Sequence, residues 1–472
     1  MKIARQGNTR RAVATGGAVA LLMTMAACGG GGDETPASAP APSAEATVDP
    51  SANPSASSAP AVNGQNIGTG TGVVDVRAAH LASFSWNEKE KKDLVMQLIK
   101  EKKLDTVQLD IKDEDGLVGY DSKIPLVTEA HLHIAGIGYD LNQAVQEIHD
   151  AGAKVVGRIV AFRDPRLGKW ASSNGHMDYV IQNTSGGPYN AGSYGTAAFT
   201  NFANPDVVEY NIALAEEAAK AGFDGIMYDY VRKPENTGQV YVGIGDKTPS
   251  QAIADFVAQA EPRVHAAGAS LGAAVFGVAA FTPDLIAQNI PLMAPHLDFL
   301  SPMIYPSHWG KGEYSVANPV AQPYDIYKRS LMDFNRLVLG TDCAIVPWVQ
   351  NFTYPSAYPY GAEQVGAQIK AAHDVGINSF YLWNDSSKVA QGAGALTTHE
   401  WADNAPGQRV YSINKPGNNS EGTTDQAKAK MFIDAYQAWV AGGKQGTFVS
   451  PLDATAAPTS AATSAPEPSA TP

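Results

Sequence analysis

Eight short β-branched runs alternate with amphipathic helical stretches along the middle of this chain, and that alternation constrains its fold more than any other feature. The runs are Val73–Ala78, Thr106–Asp113, Lys154–Phe162, Phe223–Arg232, Leu271–Gly277, Phe299–Tyr305, Arg336–Thr341 and Ser379–Asn384. Between them the apolar residues recur at helical spacing, over about 87–102, 141–151, 205–221, 249–267, 282–294, 323–334 and 362–375. Gly152, Gly222, Gly268 and Gly376 follow four of these stretches, where a helix C-terminus favours glycine. Strand–helix alternation implies a parallel sheet. A count of eight selects a closed (β/α)8 TIM barrel over an open doubly wound sheet. No Gly-x-Gly-x-x-Gly follows an early strand and no phosphate-binding Gly-x-x-x-x-Gly-Lys-Ser/Thr is present, so neither nucleotide-binding pattern applies and no cofactor is expected. The segment 163–204 reads as a long loop, and 425–440 as one further helix outside the barrel.

The flanks read differently. Lys2, Arg5, Arg10 and Arg11 precede a short apolar stretch that ends in Met25-Ala26-Ala27-Cys28. The stretch is too short to span a membrane, and the whole reads as an export signal. Small residues before a cysteine are similar to a bacterial lipoprotein box, which implies cleavage before Cys28 and lipidation of its thiol. Residues 29–71 and 451–472 are rich in Ala, Pro, Ser, Thr and Gly and are expected to stay disordered. The first makes a leash with a random-coil reach of ~40 Å. The expected organisation is therefore a lipoprotein signal (1–28), a linker (29–71), a barrel with a C-terminal helix (72–450) and a tail (451–472), anchored on the extracytoplasmic face of the cell membrane. With Cys28 in the signal, Cys343 is left without an intramolecular disulfide partner. A net charge of −13 argues against a nucleic-acid partner.

A barrel strand should turn polar only where it leaves the core, and in a parallel barrel that end carries the chemistry. The polar residues of this chain collect at those ends: Asp110, Lys112 and Asp113 on the second strand, Arg158 on the third, Asp229 and Arg232 on the fourth. Tyr305 and His308 follow the sixth, Trp348 the seventh, and Trp383 and Asn384 the eighth. Carboxylates beside aromatic rings suit sugars, whose CH-rich faces stack on rings and whose hydroxyls take the carboxylates. Glycoside cleavage needs two carboxyl groups flanking the bond, one ionised and one kept protonated. Asp229 is the candidate for the ionised group, with Arg158 or Arg232 to hold it so. Its partner is either Asp110 or Asp113. Arg158, Arg232, Tyr305, His308, Trp348, Trp383 and Asn384 are the candidate substrate contacts. The histidines are scattered, without ligand spacing, so no metal site is expected. Gly268-Ala269-Ser270-Leu271-Gly272 has the letters of a nucleophile elbow but runs from helix into strand, at the wrong end of a barrel.

Several runs together resemble a glycosyl hydrolase family of bacterial barrel proteins first catalogued as a domain of unknown function. They are Leu109–Asp113 with Gly116 and Tyr120–Ser122, Gly157–Pro165, Tyr210–Ile212 through Asp229–Arg232, Ser301–His308, Pro347–Phe352 and Leu382–Asn384. The resemblance covers about residues 72–395, in order. It implies a (β/α)8 barrel related to glycosidases acting on α-linked sugars, with the nucleophile an Asp at the end of strand four, here Asp229. A chitinase-type strand is similar over Asp224–Asp229 but has Met227 and Val231 where that chemistry needs an Asp and a Glu. Two readings follow: a membrane-anchored glycoside hydrolase acting on a polysaccharide, or a non-catalytic glycan-binding lipoprotein on the same scaffold.

Overall fold

The computed structural model describes residues 76–134, 138–397, 408–417, 421–443 and 448–454. Nine parallel strands form one closed sheet: β1 (Arg77–Leu81), β2 (Thr106–Lys112), β3 (Lys154–Val160), β4 (Gly225–Asp229), β5 (Ser270–Phe276), β6 (Phe299–Met303), β7 (Ala344–Ile345), β8 (Trp348–Gln350) and β9 (Phe380–Trp383). β7 and β8 both pair with β6 and together make the seventh stave, so the barrel has eight staves. Pro347, between them, has no N–H to give the ladder, while its carbonyl accepts from Tyr381 N at 2.9 Å. The sheet closes where β9 pairs with β1.

Helices α1 (Lys89–Lys100), α2 (Pro125–Glu129), α3 (Leu141–Asp150), α4 (Pro165–Ser173), α5 (Pro205–Lys220), α6 (Pro249–Ala266), α7 (Pro283–Ile286), α8 (Ile290–Met293), α9 (Pro323–Leu337) and α10 (Ala362–His373) surround it. Their starts are set locally. Asp140 and Asn204 accept first-turn amides of α3 and α5, and Thr248 with Gln251 forms a reciprocal cap on α6.

Side chains alternate across each strand. One set, including Leu109, Ile111, Val155, Ile159, Ile226, Leu271 and Leu300, packs against the helices. The other, including Ala78, Val156, Met227, Ala274, Phe299, Val346 and Tyr381, fills the barrel interior. Burying each of the larger aliphatic side chains contributes ~1.5–3 kcal/mol. The interior is filled unevenly: a Cβ on Gly272 would lie 2.1 Å from the Phe299 ring, so the glycine makes room for that ring.

The structure departs from the sequence pattern in four places. The seventh strand is not Arg336–Thr341. Arg336 remains in α9, pairs with Asp333 at 3.1 Å and donates to the carbonyls of Ser412 and Asn414. The first strand runs over Arg77–Leu81, later than expected, and residues 73–75 lie outside the described residues. The long loop contains α4, whose start Asp164 caps through Leu167 N at 2.9 Å. The helix expected over 282–294 is two short ones, interrupted at Ala287 with φ of 60°. The further helix spans Gln426–Ala441 and buries Phe432, whose ring lies 5.2 Å from the Arg336 guanidinium. The expected signal, Cys28, the leash and the tail beyond residue 454 lie outside the described residues.

Candidate active site

The interior parity of the first four strands puts His80, Asp110, Arg158 and Asp229 into the barrel at its C-terminal end. Asp110 stands opposite Arg158 in the β2–β3 register, and Asp229 opposite Val160 in the β3–β4 register. Arg158 is the centre of the group. Its Nε and Nη2 donate to Asp229 Oδ2 at 3.0 and 2.7 Å, and its Nη1 donates to Asp110 Oδ1 at 3.0 Å. Nη2 also reaches Glu114 Oε1 from the loop after β2. His80 Nε2 meets Asp110 Oδ1 at 3.1 Å. The other oxygen of Asp229 accepts the Tyr230 amide at 2.6 Å. Tyr230 itself takes the left-handed conformation, φ of 48°, a strained geometry for a bulky residue that fixes the chain where it leaves β4.

A buried guanidinium costs several kcal/mol of lost hydration unless it is paired. Here the pairing exceeds the need, with three carboxylates on one cation. The electrostatics follow. Burial would raise the Asp110 carboxyl, but His80 and Arg158 outweigh it and hold the group below its ordinary range. Burial likewise opposes ionisation of Glu114, and Arg158 again overrides it. Burial would lower Arg158, yet Glu114, Asp110 and Asp229 push it well up. Asp110 and Glu114 are therefore held ionised at neutral pH by the guanidinium that they share with Asp229.

Aromatic rings form the facing wall. The Arg158 guanidinium lies 4.9 Å from the Trp383 ring centre, within cation–π range. Trp383 also stacks obliquely on His80 at 4.3 Å and meets Trp348 edge-on at 5.2 Å. Tyr305 is buried, its hydroxyl pushed well up by burial and then by the charge of Asp229. Its ring contacts His308 at 5.5 Å and Phe352 at 5.4 Å, and Tyr354 continues the row, half exposed. Burial takes the His308 imidazole down to about 4, so this histidine is neutral at ordinary pH. Trp348 Nε1 and His80 Nδ1 are buried beneath the opening without a hydrogen-bond partner in the protein.

Not every residue singled out in the sequence meets at this centre. Asp110, Arg158, Asp229, Tyr305 and Trp383 do, and His308 stands on the wall beside Tyr305. Asp113 does not reach Arg158; its Oδ1 accepts the amides of Asp115 and Leu117 and closes the turn. Burial, with the charges of Glu114, Asp110 and Asp115, nevertheless pushes its carboxyl up to about 7. Arg232 is fully buried away from Asp229. It donates to Tyr194 Oη at 3.0 Å, pairs with Glu235 at 3.3 Å and lies 4.3 Å from the Phe276 ring centre. Asn384 caps a turn through Ser386 and Lys388 and donates to the Asn351 carbonyl. Trp348 lies on the floor under Trp383. Two members of the group, His80 and Glu114, were not singled out. The signal for His80 was its strand phase, two residues beyond the interior residue Ala78. Among the described residues no cluster of three or more His, Cys, Asp or Glu is arranged to hold a metal ion.

A family model described as "Putative glycosyl hydrolase domain" matches residues 78–389, most of the barrel. Among solved structures, the glycoside hydrolase domain of PgaB (BpsB) from Bordetella bronchiseptica superposes with a TM-score of 0.51 at 14% identity, covering 69% of this chain and 100% of that one. A hypothetical protein from Ruminiclostridium thermocellum is 29% identical over 41% of this chain and 96% of that one, with a TM-score of 0.37. The α-galactosidase TtGalA from Thermus thermophilus is 14% identical, with 66% of this chain and 60% of that one covered and a TM-score of 0.39. No curated protein matches the chain significantly. The Bordetella likeness is one of fold, a barrel whose strand ends face one opening.

Proposed function

The chain belongs to the family described as "Putative glycosyl hydrolase domain", and from that premise we propose that it hydrolyses glycosidic bonds of a polysaccharide outside the cytoplasm, with Asp229 as the ionised carboxylate at the reacting centre. The observation that carries this reading is the shared hold of Arg158 on Asp110, Glu114 and Asp229. Carboxylates forked by one guanidinium lie within ~8 Å of each other. That is inside the ~5–10 Å over which paired carboxyls flank a scissile bond. Asp229 is oriented by Arg158 on one oxygen and by the Tyr230 amide on the other. The candidate proton donor is the neighbour Asp113. Asp113 is the carboxyl pushed toward protonation at neutral pH, and Glu114 is the more exposed member of the clasp. Asp110, paired with His80, keeps Arg158 aligned. Trp383 and Tyr305 offer ring faces to the sugar.

The basic residues before the apolar stretch and the Met25-Ala26-Ala27-Cys28 run support export and lipidation at Cys28. The barrel would then work at the outer face of the membrane on envelope or extracellular glycan. No helix of the described residues is long and apolar enough to cross a membrane.

The test is release of reducing ends from α- and β-glucans, arabinans and cell-wall glycans by the wild-type chain and by Asp229→Asn. The substitution keeps the acceptor for the Tyr230 amide and removes the charge, and it abolishes release if Asp229 is the reacting carboxylate. Equal turnover by the variant rules that out. One observation favours the non-catalytic alternative: Asp110 and Glu114 are both held ionised by Arg158, so neither is a resident proton donor. Under that reading the wild type binds a glycan and releases nothing.

A further inference from the structure

A second concavity opens on the same face of the barrel. It has a volume of about 540 Å³ and lies between the starts of α9 and α10, well within the size range of small-ligand sites. The two loops that build it also build the wall of the mouth. The loop after β6 carries Tyr305 and His308 at the mouth and Val320 to Gln322 at the cavity. The loop after β8 carries Phe352 and Tyr354 at the mouth and Ala357 to Tyr360 at the cavity. Tyr354 and Tyr358 are four residues apart, so they stand at most ~14 Å from one another. Asn318 ties the loops together by donating to Tyr358 Oη at 3.1 Å.

The lining offers a mixed chemistry. Tyr358 accepts from Asn318 and keeps its own hydroxyl hydrogen to give. Asp325 and Glu363 offer carboxylate acceptors, and Gln322 and Gln364 offer amides. Gln322 Nε2 already orients Asp325 at 3.2 Å. Pro323, Pro359 and the Tyr358 ring supply apolar surface, whereas Lys328 and Lys370 stand over the Tyr324 ring, each at 5.4 Å. No lining residue is itself a Lys or Arg, and the two lysines at the border are engaged by Tyr324 and, for Lys370, by Asp374. A ligand with hydroxyls and CH faces can use the carboxylates, the amides, the Tyr358 hydroxyl and the apolar surface of this lining together.

We propose that this cavity is an outer glycan-binding subsite, which holds a distal unit of an uncharged polysaccharide whose other end lies across the Arg158 centre. The aromatic row Tyr305, Phe352, His308 and Tyr354 is the path between them. The proposal rests on the polysaccharide reading above and names the place where chain length is sensed.

The experiment uses the full chain carrying Asp229→Asn, run in native gels cast with soluble α-glucan, β-glucan or arabinan. At least one polymer retards it, and adding Tyr358→Ala weakens the retention about tenfold. Ala367→Phe, which fills the cavity from α10 without touching the Tyr358 tie, weakens it similarly. With Asp229 restored, both variants lose polymer turnover through a raised KM while cleavage of a short oligosaccharide of the same sugar is unchanged. Retention of every polymer equal to that of the parent chain, or equal losses on polymer and short oligosaccharide, overturns the subsite. Should no substrate be cleaved, the gel arm still decides: cavity-dependent retention upholds the subsite while the hydrolytic reading fails, and absence of any retention overturns the subsite.

Discussion

Two buried cations sit near the ends of neighbouring strands and lead opposite lives. Lys112, past the β2 register shift, turns toward α5. Its three donors meet Asp164 at 3.0 Å, Asn211 at 2.9 Å and the Ala161 carbonyl at 3.1 Å, and it is fully buried with its one carboxylate partner. Charge and donors are both balanced, and nothing is left over for a ligand. Arg158, on the interior of β3, is shared by three carboxylates, with His80 beside Asp110 and Arg163 acting on Glu114, and Glu114 is partly exposed. A balanced, closed pair is a structural device that fixes where loops attach. A shared clasp with a partly exposed carboxylate leaves groups within reach of a ligand, and it is where the proposed chemistry is placed.

Removing the cations should separate these roles. Arg158→Met leaves Asp110, Glu114 and Asp229 crowded without compensation. Turnover should fall by ~10²–10³-fold or more, and stability at pH 7 by ~3–5 kcal/mol. Part of that stability should return below about pH 4, where carboxyls take up protons. Urea denaturation at two pH values, beside reducing-end release, checks both. A variant that is as stable and active as the wild type would dissolve the distinction.

Lys112→Met should cost a similar ~3–5 kcal/mol, because Asp164 is left buried and alone. Turnover per folded molecule should stay within a few-fold. The double variant Lys112→Met, Asp164→Leu should regain most of the lost stability, as replaced buried pairs often do. Loss of turnover by the double variant at full stability would move Lys112 from scaffold to site.

The contrast also explains which parts of the molecule were legible in the sequence. Asp110, Arg158 and Asp229 could be read because a strand's period of two carries them to the interior in phase with Val156 and Met227. Glu114 could not. The register shift between Asp110 and Lys112 breaks the period, and it is the residue after Asp113 that reaches Arg158. His80 was hidden by the start of β1, which lies later than the β-branched run suggests. Arg336–Thr341 has the letters of a strand, but contacts distant in sequence, from Arg336 to Ser412 and Asn414, hold its beginning in α9. The number of staves and the face of the opening came from local pattern, whereas the partners of each charge came from tertiary contacts.

The smallest expected effect concerns Asp113, which neither cation clasps. Burial and the nearby carboxylates push it up to about 7, from an ordinary value near 4. Between those limits the folded chain keeps a proton that the unfolded chain has released, so Asp113 makes stability fall as pH rises from about 4 to about 7. Asp110 and Glu114, held low, act with the opposite sign; their contribution is present above the ordinary carboxylate range and is lost as pH falls below it. Asp113→Asn keeps the acceptor for the Asp115 and Leu117 amides and removes the charge. It should stabilise the chain by ~1–3 kcal/mol at pH 8 and hardly at all at pH 4. Urea midpoints for the two chains at pH 4, 6 and 8 measure this, and an offset that does not change with pH would mean that Asp113 ionises normally in the fold. Run on the same variant, the pH–rate profile tests Asp113 as the proton donor. Loss of its basic limb assigns the proton to Asp113, and an unchanged limb rules Asp113 out as the donor.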